Sequence, residues 1–323
     1  MSELQYYAGI DIGGSNVKYG IIDSTGNVLV RDQKPTRSEK GATPLLHLIT
    51  NIAENLLLHA AENEYTINWL GIGSPGTIDN STGVVKGKCP NIPDWVGTEI
   101  GPHLKDHLNM PVYVDNDANA MALAELRFGA AKRFHSVLCI TVGTGIGGGI
   151  ILDGKLWRGA HFSAGEVGHF VIDYNGKKCR CGNIGCLEAY CSSQAILDRA
   201  RSKLKGGMSE IFNTLLNGDM SNLTIKKLFA AAKKSDETAL EIVEETAVLL
   251  GTALSGLVNV INPQAIIFGG GVIEGGAGFV EIAGAEIRKR AFPSATEKLR
   301  ILKAELGNDA GFIGAGLLGE YKS

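Results

Sequence analysis

Two stretches, "GIDIGGSNVKYGIIDSTG" at residues 9–26 and "CITVGTGIGGGIILDGK" at residues 139–155, decide the fold, because they read as one segment written twice. At a constant offset of 130, Ile10 meets Ile140, Gly13 meets Gly143, Ile21 meets Ile151 and Asp23 meets Asp153. Each copy is strand-like, breaks at a glycine turn and resumes as a second strand. The pattern predicts a duplicated α/β unit, with both glycine turns pointing into a cleft between the halves.

Working outward from the first copy, "NVLVRDQ" adds a third strand and makes a meander. From Thr43 to about Ala61, the residues Leu45, Leu46, Ile49, Ile52, Ala53, Leu56, Leu57 and Ala60 recur three and four apart, as on one face of a helix. A strand "NWLGIGSPG", a loop through "GKCPNIPDW", a short helix near Thr98 to Leu108, a strand "PVYVDN" and a helix from about Asp117 to Phe128 follow. Beyond the second copy the chain turns helical, with at least two helices in "LTIKKLFAAAKKSDETALEIVEETAVLLGTALSGLVNVI". It then gives a strand, "AIIFGGG", and a last helix in "NDAGFIGAGLLGEY", whose small residues suit close packing on the first domain. The expected organisation is an N-terminal α/β domain of residues 1–117, completed by a C-terminal helix at about 305–323, and a larger α/β domain of residues 118–304 with a helical insertion.

At 323 residues the chain is long enough for two domains with their own cores. A net charge of −3 with dispersed lysines supplies no basic field for a nucleic acid backbone, so no nucleic acid partner is expected. The start, "MSELQYYAGIDIGG", lacks the basic and apolar regions of a signal peptide, and the run "AVLLGTALSGLVNVI" is too short and too interrupted to span a bilayer. The expectation is a cytoplasmic protein with reduced thiols and no membrane partner.

"GTGIGGG" contains G-x-G-x-x-G at Gly143, Gly145 and Gly148, but its sequel is a second strand rather than the helix that a dinucleotide fingerprint requires. A Gly-rich hairpin turn with a hydroxyl still cradles phosphate through clustered backbone N–H groups. Both copies offer one: Gly13, Gly14 and Ser15, and Gly143, Thr144 and Gly145. Asp11, just before the first turn, reads either as a turn residue or, beside phosphate, as a carboxylate that holds Mg²⁺ through water. Gly269, Gly270 and Gly271 read either as an ordinary strand-to-helix turn or as a place where an adenosine approaches the backbone. In "VYVDNDANAMALAE", Asp117 is equally a helix N-cap or a base for phosphoryl transfer, with Asn116 offering a donor and an acceptor to neighbouring hydroxyls.

The motifs "DIGGSNVKYG", "GIGSPGTID", "VDNDANAMALAE", "TVGTGIGGGII", "AGEVGH", "CRCGNIGCLE", "INPQAIIFGGG" and "NDAGFIGAG" resemble, in order and over essentially the whole length, those of ROK-family sugar kinases. The pair "AGEVGH" and "CxCGxxGCLE" is the most specific of them. The resemblance implies the two-domain actin-like/hexokinase-like ATPase fold, built from duplicated ribonuclease H-like units. It also implies ATP with Mg²⁺, and phosphorylation of a hexose at its 6-hydroxyl. By the same resemblance Asp117 is the base, while Asn116, Glu166, His169 and Glu188 are sugar ligands and Gly76 is a close backbone contact to the sugar. Asp115 stands where Glu is frequent in the family, and Ser15 where Thr is. Glucose is the expected sugar, with N-acetylglucosamine, N-acetylmannosamine, mannose and fructose as alternatives that share most ligands. "PNIPDW", with Asn91 and Trp95, resembles glucokinase-like members, and it also reads as a loop anchored by one buried Trp. A homodimer is implied by the family alone. A DNA-binding repressor of the family would carry a helix-turn-helix ahead of Asp11, and a sugar-sensing regulator without turnover is the other rival.

Three of the six cysteines fall in "CRCGNIGC". Cys179, Cys181 and Cys186 with His169 form a set of three thiolates and one imidazole that closes a tetrahedral zinc site with no open position, which makes the metal structural. One ring nitrogen of His169 would then face the metal and leave the other toward the sugar. Cys89, Cys139 and Cys191 are left as reduced thiols without a role.

Overall fold

The computed structural model describes residues 4–87 and 89–321. The first three and last two residues, at the ends of the expected first domain and C-terminal helix, lie outside them, as does Lys88 in the "GKCPNIPDW" loop. The elements follow in chain order: β1 (Tyr6–Ile12), β2 (Asn16–Asp23), β3 (Val28–Pro35), α1 (Ala42–Glu62), β4 (Ile67–Ser74), β5 (Ile78–Asp79), β6 (Val84–Val85), α2 (Ile100–Leu108), β7 (Val112–Asn116) and α3 (Asp117–Arg127). The second copy gives β8 (Val137–Val142), β9 (Ile146–Leu152) and β10 (Lys155–Leu156). The helical part holds α4 (Glu188–Cys191), α5 (Ser193–Leu204), α6 (Glu210–Leu216), α7 (Ile225–Lys233) and α8 (Glu237–Ile261). Then come β11 (Ala265–Gly269), α9 (Gly271–Glu274), α10 (Phe279–Arg290), α11 (Pro293–Thr296), β12 (Arg300–Lys303) and α12 (Ala310–Leu317).

Two compact units result. One runs to Cys139 and takes in Gly148–Gly165 and the chain from Ala304 onward, and the other comprises Ile140–Gly147 and Glu166–Lys303. The strand orders are β3-β2-β1-β4-β7 and β10-β9-β8-β11-β12. Each is a three-strand meander with two later strands added on the side of its first strand, so the internal repeat read from the sequence is a repeat of topology. In the first sheet β1 pairs antiparallel with β2 and parallel with β4, which in turn pairs parallel with β7.

The first core forms where the apolar face of α1 (Leu45, Ile49, Ile52, Ala53, Leu56 and Ala60, all buried) meets Ile10, Ile12, Ile21, Leu70 and Ile72 of the sheet. Each fully buried Leu or Ile contributes about 1.5–3 kcal/mol. On α12, backbone meets backbone: a Cβ on Gly9 would lie 1.9 Å from the Phe312 carbonyl oxygen, one on Gly71 1.7 Å from that of Ala315, and one on Gly314 1.7 Å from that of Ala120. Only glycine admits this approach, which wedges α12 against β1, β4 and α3. In the second unit, α8 buries Ala247, Leu250, Ala253, Leu254 and Val258, as expected of a core helix. Among the described residues no helix is long and apolar enough to cross a membrane.

Candidate active site

In the first unit the parallel strands β1, β4 and β7 end side by side, and their C-terminal ends carry the chemistry-bearing residues. Asp11 is at the end of β1, Ser74 leads from β4 into the turn of Gly76, and Asn116 and Asp117 pass from β7 into α3. Gly73 lies between Asp11 and Asp117: a Cβ there would be 3.4 Å from Asp11 Oδ1 and 3.5 Å from the Cα of Asp117. Burial pushes the half-buried Asp11 carboxyl up to about 6, and the ammonium of Lys18, cross-strand on β2, pulls the other way. A carboxylate desolvated to this degree suits a hydrated divalent cation, whose charge offsets the desolvation.

The cap of α3 is Asn116. Its backbone is extended (φ −63, ψ 144), and its Oδ1 accepts from the N–H groups of Ala118 and Asn119 at 2.9 and 3.3 Å. Asp117, for which the sequence also allowed the cap, is instead the first helical residue, with Oδ1 accepting from Ala118 N at 2.9 Å. Asn116 Nδ2 donates to the Gly76 carbonyl at 3.1 Å. Gly76 has φ +91, a conformation that favours glycine. Behind this turn Trp95, 1% exposed, donates from Nε1 to Ser74 Oγ at 3.2 Å, so the "PNIPDW" loop is anchored directly beneath the turn.

The first glycine turn closes by Gly13 N donating to the Asn16 carbonyl at 3.0 Å, with Gly14 and Ser15 exposed. Sequence reasoning missed Thr36, which is buried and braces that turn: its Oγ1 donates to the Gly13 carbonyl at 2.7 Å and its N–H to that of Ser15 at 2.9 Å. It also missed Arg158, whose Nε donates to Asp115 Oδ2 at 2.6 Å in a buried pair.

In the second unit the matching turn closes by Gly143 N donating to the Gly145 carbonyl at 2.9 Å, with Thr144 exposed. Glu188 braces it, one carboxylate oxygen accepting from Ile146 N at 2.9 Å. Gly269, Gly270 and Gly271 form the strand-to-helix turn from β11 into α9. Gly270 lies so close to the strand leading into the Thr144 turn that a Cβ would come within 2.5 Å of the Val142 carbonyl oxygen.

His169, Cys179, Cys181 and Cys186 converge, one ligand atom from each lying within 4.8 Å of all the others. Sγ of Cys179 is 3.8 Å from Nδ1 of His169, and Sγ of Cys181 is 3.7 Å from that of Cys186. Sulfurs about 2.3 Å from a tetrahedral centre stand about 3.8 Å apart, so the cluster fits a zinc ion. Burial, then the adjacent sulfurs of Cys181 and Cys179, push the Cys186 thiol up to about 12. A cation on the thiolates reverses that direction. With Nδ1 toward the sulfurs, Nε2 of His169 faces Glu166 Oε2 at 4.0 Å. Cys89 is half-buried, Cys139 and Cys191 are buried, and all three are free thiols.

Residues 7–321 match the ROK family. The chain belongs to that family. This ROK protein is 34% identical to a glucokinase of Halalkalibacterium halodurans over 97% of its own length and 94% of the relative's. It is 32% identical to a xylose repressor of Caldicellulosiruptor bescii, covering 95% of this chain and 76% of the repressor. A ROK family glucokinase from Streptomyces griseus, solved in complex with glucose and AMPPNP, superposes with a TM-score of 0.86 at 32% identity, over 98% of this chain and 99% of that one. The fold is therefore the actin-like/hexokinase-like ATPase fold of ROK glucokinases.

Proposed function

We propose that this ROK protein is an ATP-dependent glucose kinase that transfers the γ-phosphoryl group to the 6-hydroxyl. The observation that carries the reading is the convergence of Asp11 and Asp117 on either side of Gly73, at the ends of adjacent parallel strands. Phosphoryl transfer asks for little else from the protein than a carboxylate on the attacking hydroxyl and charge neutralisation at the phosphates. Similarity to glucokinases, one of them bound to glucose and an ATP analogue, supports the sugar and the donor.

Asp117 accepts the proton of the sugar 6-hydroxyl as the oxygen bonds to the γ-phosphorus and the bond to the β-phosphate oxygen breaks, which releases ADP. Asp117 takes that proton from the first turn of α3, where the helix N-terminus favours a negative charge. Asn116 has already committed Oδ1 to the helix and one Nδ2 hydrogen to Gly76, so it offers the sugar its second Nδ2 hydrogen. Gly76, Glu166, His169 and Glu188 complete the sugar ligands. The turns of Gly13, Gly14 and Ser15 and of Thr144 and Gly145 donate to the phosphates, and Gly269 to Gly271 take the adenosine side. Mg²⁺, held through water by Asp11, would neutralise phosphate charge. A structural zinc on His169, Cys179, Cys181 and Cys186 would fix His169 and the nearby Glu188. These assignments distribute over an N-terminal domain of residues 1–117 with the C-terminal helix and a domain of residues 118–304, in a cytoplasmic homodimer.

A second reading, a sugar-sensing regulator without turnover, is favoured by the similarity to xylose repressors. ADP release from MgATP across glucose, mannose, fructose, N-acetylglucosamine and N-acetylmannosamine, with Asp117→Ala as control, separates the two. Loss of the base should lower turnover about 10²–10⁴-fold. Sugar binding without ADP release in the wild-type protein would instead make it a sensor.

A further inference from the structure

A buried ion pair lies directly behind the β7–α3 junction. The Asp115 and Arg158 side chains are 3% and 11% exposed and meet at 2.6 Å through Oδ2 and Nε. Asp115 Oδ1 accepts from the Asn116 backbone N–H at 2.7 Å and from Asn119 Nδ2 at 2.9 Å. Arg158 is itself held by Nη2 donating to the Tyr321 carbonyl at 3.2 Å. A continuous series of contacts thus runs from Tyr321 through Arg158 and Asp115 to Asn116, and from Asn116 Nδ2 to Gly76.

On the kinase reading, we propose that Arg158 is a positioning residue for the sugar: by holding Asp115 it sets the orientation of Asn116 and Asp117 at the start of α3. A carboxylate that accepts three hydrogen bonds in a buried place needs its cationic partner, and removing that partner leaves an unpaired buried charge. The carboxylate relieves this by turning toward water, which gives up the Oδ1 bonds that hold Asn116 and Asn119. The displaced atoms are those next to the sugar, while the phosphate turn at Gly13 to Ser15 is braced separately by Thr36. A salt bridge that served stability alone would change the amount of folded protein and leave the kinetic constants of the folded molecules unaltered.

The pair also borders a pocket of about 730 Å³ lined further by Asn80, Lys105 and Tyr113, which gives a small cation access to the place that a shortened side chain leaves. The test is Arg158→Ala, assayed with and without guanidinium chloride below its denaturing range, against equal sodium chloride. The expected result is a sugar KM raised tenfold or more and a lowered kcat, with the KM for MgATP within twofold of wild type. Guanidinium, and not sodium, should restore part of the sugar KM. A folded variant with a sugar KM within twofold of wild type overturns the proposal. So does a variant in which activity falls only with the folded fraction and guanidinium does no better than sodium. Should Arg158→Ala not fold, Arg158→Gln, which keeps a donor for Asp115 without the charge, is judged on the same KM split. Failure of the kinase reading is distinct: wild-type protein would then show no sugar-dependent ADP release, and calorimetric glucose binding by wild type and variant carries the same comparison.

Discussion

Replacing Gly311 with Ala tests whether the carboxylate of Asp11 acts from where it lies. Gly311 is the second residue of α12, and a Cβ on it would fall 2.2 Å from Asp11 Oδ2, 2.4 Å from Cγ and 3.0 Å from Oδ1. Unbonded heavy atoms find their optimum near 3.5 Å, so the methyl group overlaps the carboxylate by more than about 1 Å. The backbone of Asp11 is pinned on both sides, opposite Lys18 of β2 and Gly73 of β4, so the side chain yields before the strand does. In stability the change is nearly balanced. Overpacking costs about 1–3 kcal/mol and the helix gains about 1 kcal/mol on losing a glycine, which leaves a net loss of about 0–2 kcal/mol. For a chain of this length that lowers Tm by only a few degrees. Function should suffer more: with Asp11 rotated away, kcat/KM for MgATP should fall on the order of 100-fold, as when one preorganised charge-stabilising group is lost. Steady-state kinetics at varied Mg²⁺, beside calorimetric unfolding, reads both quantities. In an Asp11→Ala background the Gly311→Ala change should add no further kinetic loss, because the two act through one group. A stable Gly311→Ala protein with wild-type kcat/KM for MgATP would refute the reasoning.

Two further expectations concern the Cys/His cluster and the stability of the turn between β2 and β3. Cys181→Ser should release zinc, measurable by elemental analysis, and raise the sugar KM through His169 and Glu188; a variant that keeps both metal and affinity removes the bracing role. Asp23 is buried and accepts at Oδ1 from the N–H and hydroxyl of Thr25 and the N–H of Asn27, and at Oδ2 from Asn27 Nδ2. Burial alone would raise its pKa, but these hydrogen bonds outweigh it and hold the carboxyl below the usual range. A depressed folded-state pKa adds stability that is present above the unfolded-state value of about 3.9 and is lost as pH falls through the folded value. Asp23→Ala should therefore cost about 1–3 kcal/mol at pH 7, and urea unfolding should find the gap to wild type closing below about pH 4. A gap independent of pH would show that the charge of Asp23 is not what stabilises the turn.

The duplicated hairpin was legible because its signal is local: apolar strand residues on both sides of a glycine turn, repeated with the same spacing. The Cys/His cluster was legible for a similar reason, since three of its four residues lie between Cys179 and Cys186. Contacts made across the sequence left no such mark. Arg158 is 43 residues from Asp115, and Thr36 is 23 from the Gly13 carbonyl it braces. Nothing in the composition around either residue distinguishes it from an ordinary loop residue. The sequence offers Asp117 as the cap of α3, and the structure gives that place to Asn116 for another reason. Asn and Asp are equally good N-caps, and in "VDNDAN" they are adjacent, so the choice falls to the strand's exit angle, which places the extended ψ on Asn116.

That assignment bears on how one fold serves both kinases and regulators. A sensor of sugar needs the groups that bind hydroxyls, and it needs the β7–α3 junction held in one shape. In this chain Asn116 supplies the cap and the link to Gly76, while Asp115 and Arg158 hold the strand end from behind. Asp117 shares the bond from Ala118 N, and the other tasks are met by Asn116, Asp115 and Arg158. Its carboxylate is therefore the group whose removal separates transfer from recognition. Asp117→Asn, which keeps an acceptor for Ala118 N, should leave glucose affinity within a few fold of wild type while turnover collapses. Were binding to fall together with turnover, Asp117 would be part of the recognition scaffold, and the division between Asn116 as scaffold and Asp117 as base would not hold.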